Sequence, residues 1–394
     1  MTTLGVVALL VVVAGAAVVL ATTGPNRVAK VPRLPVSTGC DLHATTSNFS
    51  SVFDSTNGQT ICLASGNYGT FTGGIKSAMT TIEPENGATV TMALDFNPAA
   101  NITVDRLNIT SGFLNGSQTH NITVRNSHFD RAQIVMRTDS MSPNANILLD
   151  HNVHSNYDAC SNCYEGRVEV MGNHGSNGIT IRNSAFYGGN SDGIQDASNG
   201  TRILNNEFHD IIQLDGPSAA HVDSIQLLGS SNTLVRGNYL HDVSTGIMAA
   251  DGLDHATIEN NVFKDSSYAY AVTVGSDNGS VIRHNTLWGS GHTCAFGVEC
   301  GILALGNKDG DPTSTGTVIK DNILTGIIDG GHPTQNLTED YNLVAQGGAG
   351  AHDVRGVPTY VGGPSPTTLA GFALTATSPG HEDADDGDIG ATIP

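Results

Sequence analysis

One phrase returns along this chain at intervals of roughly 20 to 37 residues. It is a short run alternating apolar and polar, a turn bearing Asn or Ser, then a second short run ending in an aromatic or aliphatic residue. Copies stand at 122–129, 147–154, 179–186, 202–208, 234–240, 257–263, 281–287 and 318–324, with a weaker one at 102–109. A third run follows after a loop of variable length, as at 193–196, 224–228, 246–249, 271–274 and 301–305. Three strands and three turns close one coil. Stacked coils bring equivalent residues about 4.8 Å apart, so each strand type becomes its own parallel sheet.

The turn position keeps register with the apolar positions. Asn152, Asn206, Asn238, Asn261, Asn285 and Asn322 share one slot, which Ser127 and Ser184 fill in two other copies. An Asn there can adopt the turn backbone and donate its amide to the next coil, forming a hydrogen-bonded ladder. A β-sandwich with Asn-rich hairpins predicts neither that register nor the three-strand cadence. The expected fold is all-β: a single-stranded right-handed parallel β-helix of about ten coils, with an N-terminal cap and an irregular C-terminal tail. Residues 40–345 form the helix, 22–39 a linker and 346–394 the cap and tail. Aromatics are only 5% of the chain, so the core must come from stacked Ile, Val and Leu with occasional Phe.

The net charge of −20, with no cluster of Lys and Arg, argues against a nucleic-acid partner. An acidic surface suits Ca²⁺ and extracellular solubility. Residues 4–21 are uninterruptedly apolar and read as a signal peptide or an N-terminal membrane anchor, the only route to a membrane. The expected location is secreted or cell-surface anchored, and the expected state is monomeric. Six cysteines suit that oxidising destination, and Cys40–Cys62, Cys160–Cys163 and Cys294–Cys300 are the simplest pairing. The acidic stretch 383–388 lacks the Glu of a calcium-binding loop and reads as a disordered tail.

Over residues 40–344 the repeats resemble the pectate-lyase-like superfamily of right-handed parallel β-helices, in its bacterial secreted members. Residues 60–69 and 81–85 look like the first coil and cap of such proteins, and 388–391 like their end. The resemblance implies a polysaccharide partner bound along the third strands, walled by the loops before them. Asp150-His151 is similar to a phrase of pectate lyases but lacks its Trp, and the polygalacturonase motifs are missing. No subfamily follows.

The long loops 155–166, 209–222 and 289–300 sit around the middle coils, and loops of that length in a compact repeat usually carry function. On the third strands Val168, Ile194, Ile225, Ile247, Val272 and Ile302 should point inward, which turns Glu169, Gln195, Gln226, Met248 and Thr273 outward as a column. Arg137 should lie near its top. That column suits sugar binding, with Asp196 beside it. Asp192 and Asp223 occupy equivalent places on adjacent coils, with His221 close by. Two such carboxylates can hold Ca²⁺ or have their pKa values driven apart for acid/base work. The leading expectation is a polysaccharide lyase, with Arg137 or Arg167 as base or carboxylate clamp and Ca²⁺ on Asp192 and Asp223. A glycoside hydrolase drawing on Asp192, Asp223, Glu169 or Asp196 is the second, and a non-catalytic glycan-binding surface protein the third.

Overall fold

The computed structural model describes residues 39–159, 165–172, 177–213, 221–266, 270–287, 300–306, 310–330, 332–384 and 386–394. Thirteen first strands, from Leu42–Ala44 through Ile147–Asp150 to Thr338–Asp340, pair in parallel and in sequence order. That exceeds the ten coils expected. Leu42–Ala44, Thr60–Leu63 and Ile75–Pro84 carry no Asn turn phrase, so counting the phrase missed them. Gly66–Phe71, Val90–Phe96 and Asn108–Leu114 open a second sheet that then divides. Asn108 aligns with His128, which begins the second-strand ladder, and Gly112 aligns with Ile134, which begins the third. The chain is a right-handed parallel β-helix, as its repeats predict.

Inward residues stack in columns. Ile181, Ile203, Val235, Ile258, Ile282 and Ile319 align coil upon coil and are fully buried. Each is worth roughly 1.5–3 kcal/mol of burial. The ladder of turn residues is continuous: the backbone N–H of Asn206 donates to Asn238 Oδ1, Asn238 to Asn261, Asn261 to Asn285 and Asn285 to Asn322, at 2.9–3.0 Å. It runs one coil past the phrases read from sequence, from Asn322 to Asn342. Ser184 and Ser127 act as acceptors in their coils. The left-handed backbone belongs to the residue before each ladder position, as at Asn205, Asn260, His284 and Asp321, and not to the ladder Asn itself. The ladder side chains are buried in the coil.

One end of the aromatic core departs from the pattern. Phe129, His154, Phe186 and Phe208 stack face to face at centroid spacings of 4.5, 4.6 and 4.7 Å. Both ring nitrogens of His154 are buried without a hydrogen-bond partner. Burial, then the nearby Arg167 and His128 charges, push its pKa down to about 3. A depressed His value means the unfolded chain takes up a proton below 6.5 and the folded chain does not. Folding therefore loses about 1.4 kcal/mol of stability per pH unit between those two values. His154→Phe completes the stack and removes this term. Its stability gain over the wild type should grow by about 2 kcal/mol between pH 6.5 and pH 5 in urea melts; an equal gain at both would contradict the burial of a neutral ring.

Four arginines are paired on the outer face of the first sheet. Arg125 pairs with Asp105, Arg182 with Asp150, and Arg236 and Arg283 with Glu259. The C-terminal segment is not a loose tail. Tyr360, Phe372 and Ile389 bury themselves with Tyr239, Val262, Ile323 and Leu343 of the second ladder. Gly390 N–H donates to Asp321 O at 2.8 Å and Ala391 N–H to Thr286 Oγ1 at 3.0 Å. The acidic stretch expected to be disordered is folded there: Gly380 N–H donates to Asp383, and Asp388 accepts from His381 and from the Glu382 N–H. An apolar strip left open on the second strands needs a cover, and local composition does not register that.

Cys40 and Cys62 form a disulfide with Cα atoms 5.6 Å apart. Cys160, Cys163 and Cys294, which the other two expected pairs need, lie outside the described residues, as do residues 4–21. Among the described residues no helix is long and apolar enough to cross a membrane.

Candidate active site

The third-strand register brings Glu169, Gln195, Gln226, Met248 and Thr273 into one row on the outer side of the sheet, in which Gln195 and Gln226 are themselves buried. The row continues to Val135, Phe113 and Asp95 on one side and to Ala304 and Ile328 on the other. Val168, Ile194, Ile225, Ile247 and Val272 point inward and are fully buried. Ile302 does not join them. The register shifts between Tyr270 and Val272, so Val272 aligns with Leu303, which takes the inward place.

Asp192 and Asp223 stand at the edge of this row, where loop becomes strand, on adjacent coils. Asp192 Oδ1 accepts the Asp223 backbone N–H at 2.8 Å, and Asp192 Oδ2 accepts from Gln195 Nε2 at 2.8 Å. The same Gln195 nitrogen reaches Gln226 Oε1 at 3.1 Å. His221 Nδ1 lies 2.6 Å from Asp223 Oδ2. A carboxylate accepts only, so Nδ1–H donates and Nε2 carries the free lone pair. The Asp223 side chain is 0% exposed and that of His221 37%, so the imidazole is the solvent-facing end of the pair. The second Asp223 oxygen, Oδ1, is buried without a hydrogen-bond partner.

Burial, then the charge of Asp223, holds Asp192 far above the carboxylate range. Burial also raises Asp223, but the hydrogen bond and charge of His221 draw it back toward ionisation. Their titrations are therefore linked, the ionisation of one carboxyl opposing that of the other. The hydrogen bond to Asp223 raises His221 in turn, against the opposing effect of burial. Glu169, further along the row, accepts from Gln133 Nε2 at 2.6 Å and from the Gly166 N–H, and burial raises its pKa.

Other expected site residues fall elsewhere. Arg167 is unavailable to a ligand: its side chain is fully buried and donates to the carbonyls of Ser191, Gly188 and, at 3.1 Å, Asp192. It holds the loop that delivers Asp192. Asp196 shares the inward parity of Ile194, and Ser198, Thr201 and Thr233 donate to its carboxylate. It fastens a turn and does not face the row. Arg137 is half-exposed but aligns through Met171 with Ala197, so it sits five residues along and two coils away from Asp192. Asp150 and His151 belong to the first sheet, in the charge ladder with Arg182. Phe113 and Gln133 went unnoticed in the sequence because they precede the first recognisable third run, at 193–196.

Of the four carboxylate oxygens on Asp192 and Asp223, three are committed to hydrogen bonds with the chain. A Ca²⁺ ion takes six to eight oxygens and would need most of them from beyond these two side chains. Among the described residues the His, Cys, Asp and Glu groups that converge are His284 with Asp321 and Asp386, and Glu83 beside the Cys40–Cys62 disulfide.

Residues 170–324 match the family model for a right handed beta helix region. No curated protein matches the chain in sequence. Among solved structures it is similar to the catalytic unit of a thermostable GH87 alpha-1,3-glucanase from Streptomyces thermodiastaticus, at 10% identity and a TM-score of 0.45, over 79% of this chain and 70% of that one. It is similar to the pectate lyase Pel9A at 12% identity and a TM-score of 0.39, over 90% and 96%. The A-module of the mannuronan C-5 epimerase AlgE4 from Azotobacter vinelandii is a third, at 14% identity and 0.36, over 79% and 91%. Strand register and the family match together define the class: a right-handed parallel β-helix protein.

Proposed function

We propose that this protein cleaves a uronate-containing polysaccharide by β-elimination on the row of Glu169, Gln195, Gln226 and Met248. The observation that carries the reading is the His221–Asp223 dyad: a part-exposed imidazole held at 2.6 Å by a wholly buried carboxylate, beside a second buried carboxyl whose pKa burial raises. His221 Nε2 takes the proton alpha to the uronate carboxylate. The electron pair of that C–H bond becomes the new double bond, and the glycosidic C–O bond breaks. Asp192, in its protonated form, and the amide of Gln226 supply donors for the negative charge that develops on the carboxylate. His221 then returns its proton to the departing sugar oxygen.

Hydrolysis is the second reading, favoured by one observation. A carboxyl raised as Asp192 is can protonate a glycosidic oxygen while the His221–Asp223 pair activates water. Incubation with a panel of glycans separates the two. Ultraviolet absorbance from an unsaturated uronate supports elimination, and new reducing ends without it support hydrolysis. Neither product, with binding retained, leaves a glycan-binding protein and overturns both. The pH profile carries a further sign. Activity should rise as His221 loses its proton above the ordinary histidine range, and fall as Asp192 ionises far above the ordinary carboxylate range. Chelators should leave the rate unchanged.

A further inference from the structure

Beyond the dyad, the outward row has a second distinctive end. Phe113 is a large apolar side chain 37% exposed to solvent, and it lies in register with Val135, Glu169 and Gln195. Arg137 projects two residues along from Val135 on the same face, its side chain half-exposed. Arg137 and Arg167 are the only cations on the third strands among the described residues, and Arg167 is buried. Among the described residues Arg137 makes one ion pair, to Asp139 at 3.6 Å, which is too long for a good hydrogen bond. Its guanidinium thus has donors to spare for a carboxylate, the chemistry its planar fork suits best.

We infer that Phe113, Val135 and Arg137 form a distal subsite for a uronate residue of a long glycan chain. The sugar lays its C–H face on the Phe113 ring, and its carboxylate meets Arg137. Three coil steps separate Phe113 from Gln195, which is about 14 Å along the helix axis. Only a chain several sugars long spans both places. Asp95, exposed at the next step, ends the row with a charge that repels a further uronate. The subsite therefore grips one terminus of the bound segment and sets the minimum length of a good substrate. This rests on the reading of the row as a glycan-cleaving site.

The test uses the full chain with oligogalacturonates and oligomannuronates from the trimer to the octamer. In Phe113→Ala, Arg137→Ala and the milder Arg137→Gln, KM for the longest chains should rise about tenfold, the loss expected for one charged hydrogen bond or one apolar contact. Their kcat, and all constants for the trimer, should match the wild type. Long-chain KM unchanged in Phe113→Ala and Arg137→Ala overturns the subsite alone. A wild type that acts on no member of the panel overturns the subsite and the cleavage reading together.

Discussion

Asp223→Asn is expected to lower kcat by about 10³–10⁴-fold while leaving the coil folded. Asp223 accepts the Nδ1–H of His221, which fixes the tautomer that presents a lone pair on Nε2. An Asn amide in that place can donate to Nδ1, which puts the proton on Nε2 and removes the base. It also takes away the electrostatic support for the imidazolium that forms when His221 accepts a proton. Stability should move the other way or not at all, because the buried charge beside Asp192 disappears along with its cost. His221→Ala should match Asp223→Asn in rate, and the double variant should be no slower than either, since the two act as one unit. Full activity in Asp223→Asn would remove the dyad from the chemistry.

Asn261→Ala carries the largest expected effect on folding, about 3–5 kcal/mol in urea unfolding. Asn261 Oδ1 accepts the N–H of Asn238, and its Nδ2 donates to the Val235 carbonyl and to Asn285 Oδ1. The site is fully buried, so each deserted partner loses its bond with no water to replace it. Asn261→Ser should recover part of the loss. Ser184 already plays that role elsewhere, its Oγ accepting the Asn152 N–H at 3.0 Å. A loss under about 1 kcal/mol for the Ala variant would mean the ladder is a consequence of stacking and not one of its supports.

How far the sequence revealed the molecule varied with the type of constraint. Positions tied to a period were legible. The Asn slot, the Ile and Val columns and the outward row all follow from alternation repeated coil by coil, and the two carboxylates were placed on adjacent coils by the echo between 192–195 and 223–226. What failed was set by contacts between unlike parts of the chain. Arg167 reads as a functional cation until the loop carbonyls of Gly188 and Ser191 close over it. Asp196 was misplaced although alternation already pointed it inward with Ile194. The slip at Ile302 depends on a register shift opposite Tyr270, which no local signal marks. The C-terminal segment looked unstructured because its partners, Tyr239, Val262 and Leu343, lie far back in the sequence. His154 occupies a phenylalanine slot of the repeat and is part of the core, which its polarity alone does not suggest.

The most direct measurement is a crystal structure of the Asp223→Asn variant soaked with a uronate oligosaccharide. The account predicts sugar lying across Glu169, Gln195 and Gln226, with the C–H bond next to a carboxylate facing His221 Nε2 at hydrogen-bond range. Sugar on another face of the coil, or a bound chain whose reactive carbon lies beyond reach of His221, would contradict it.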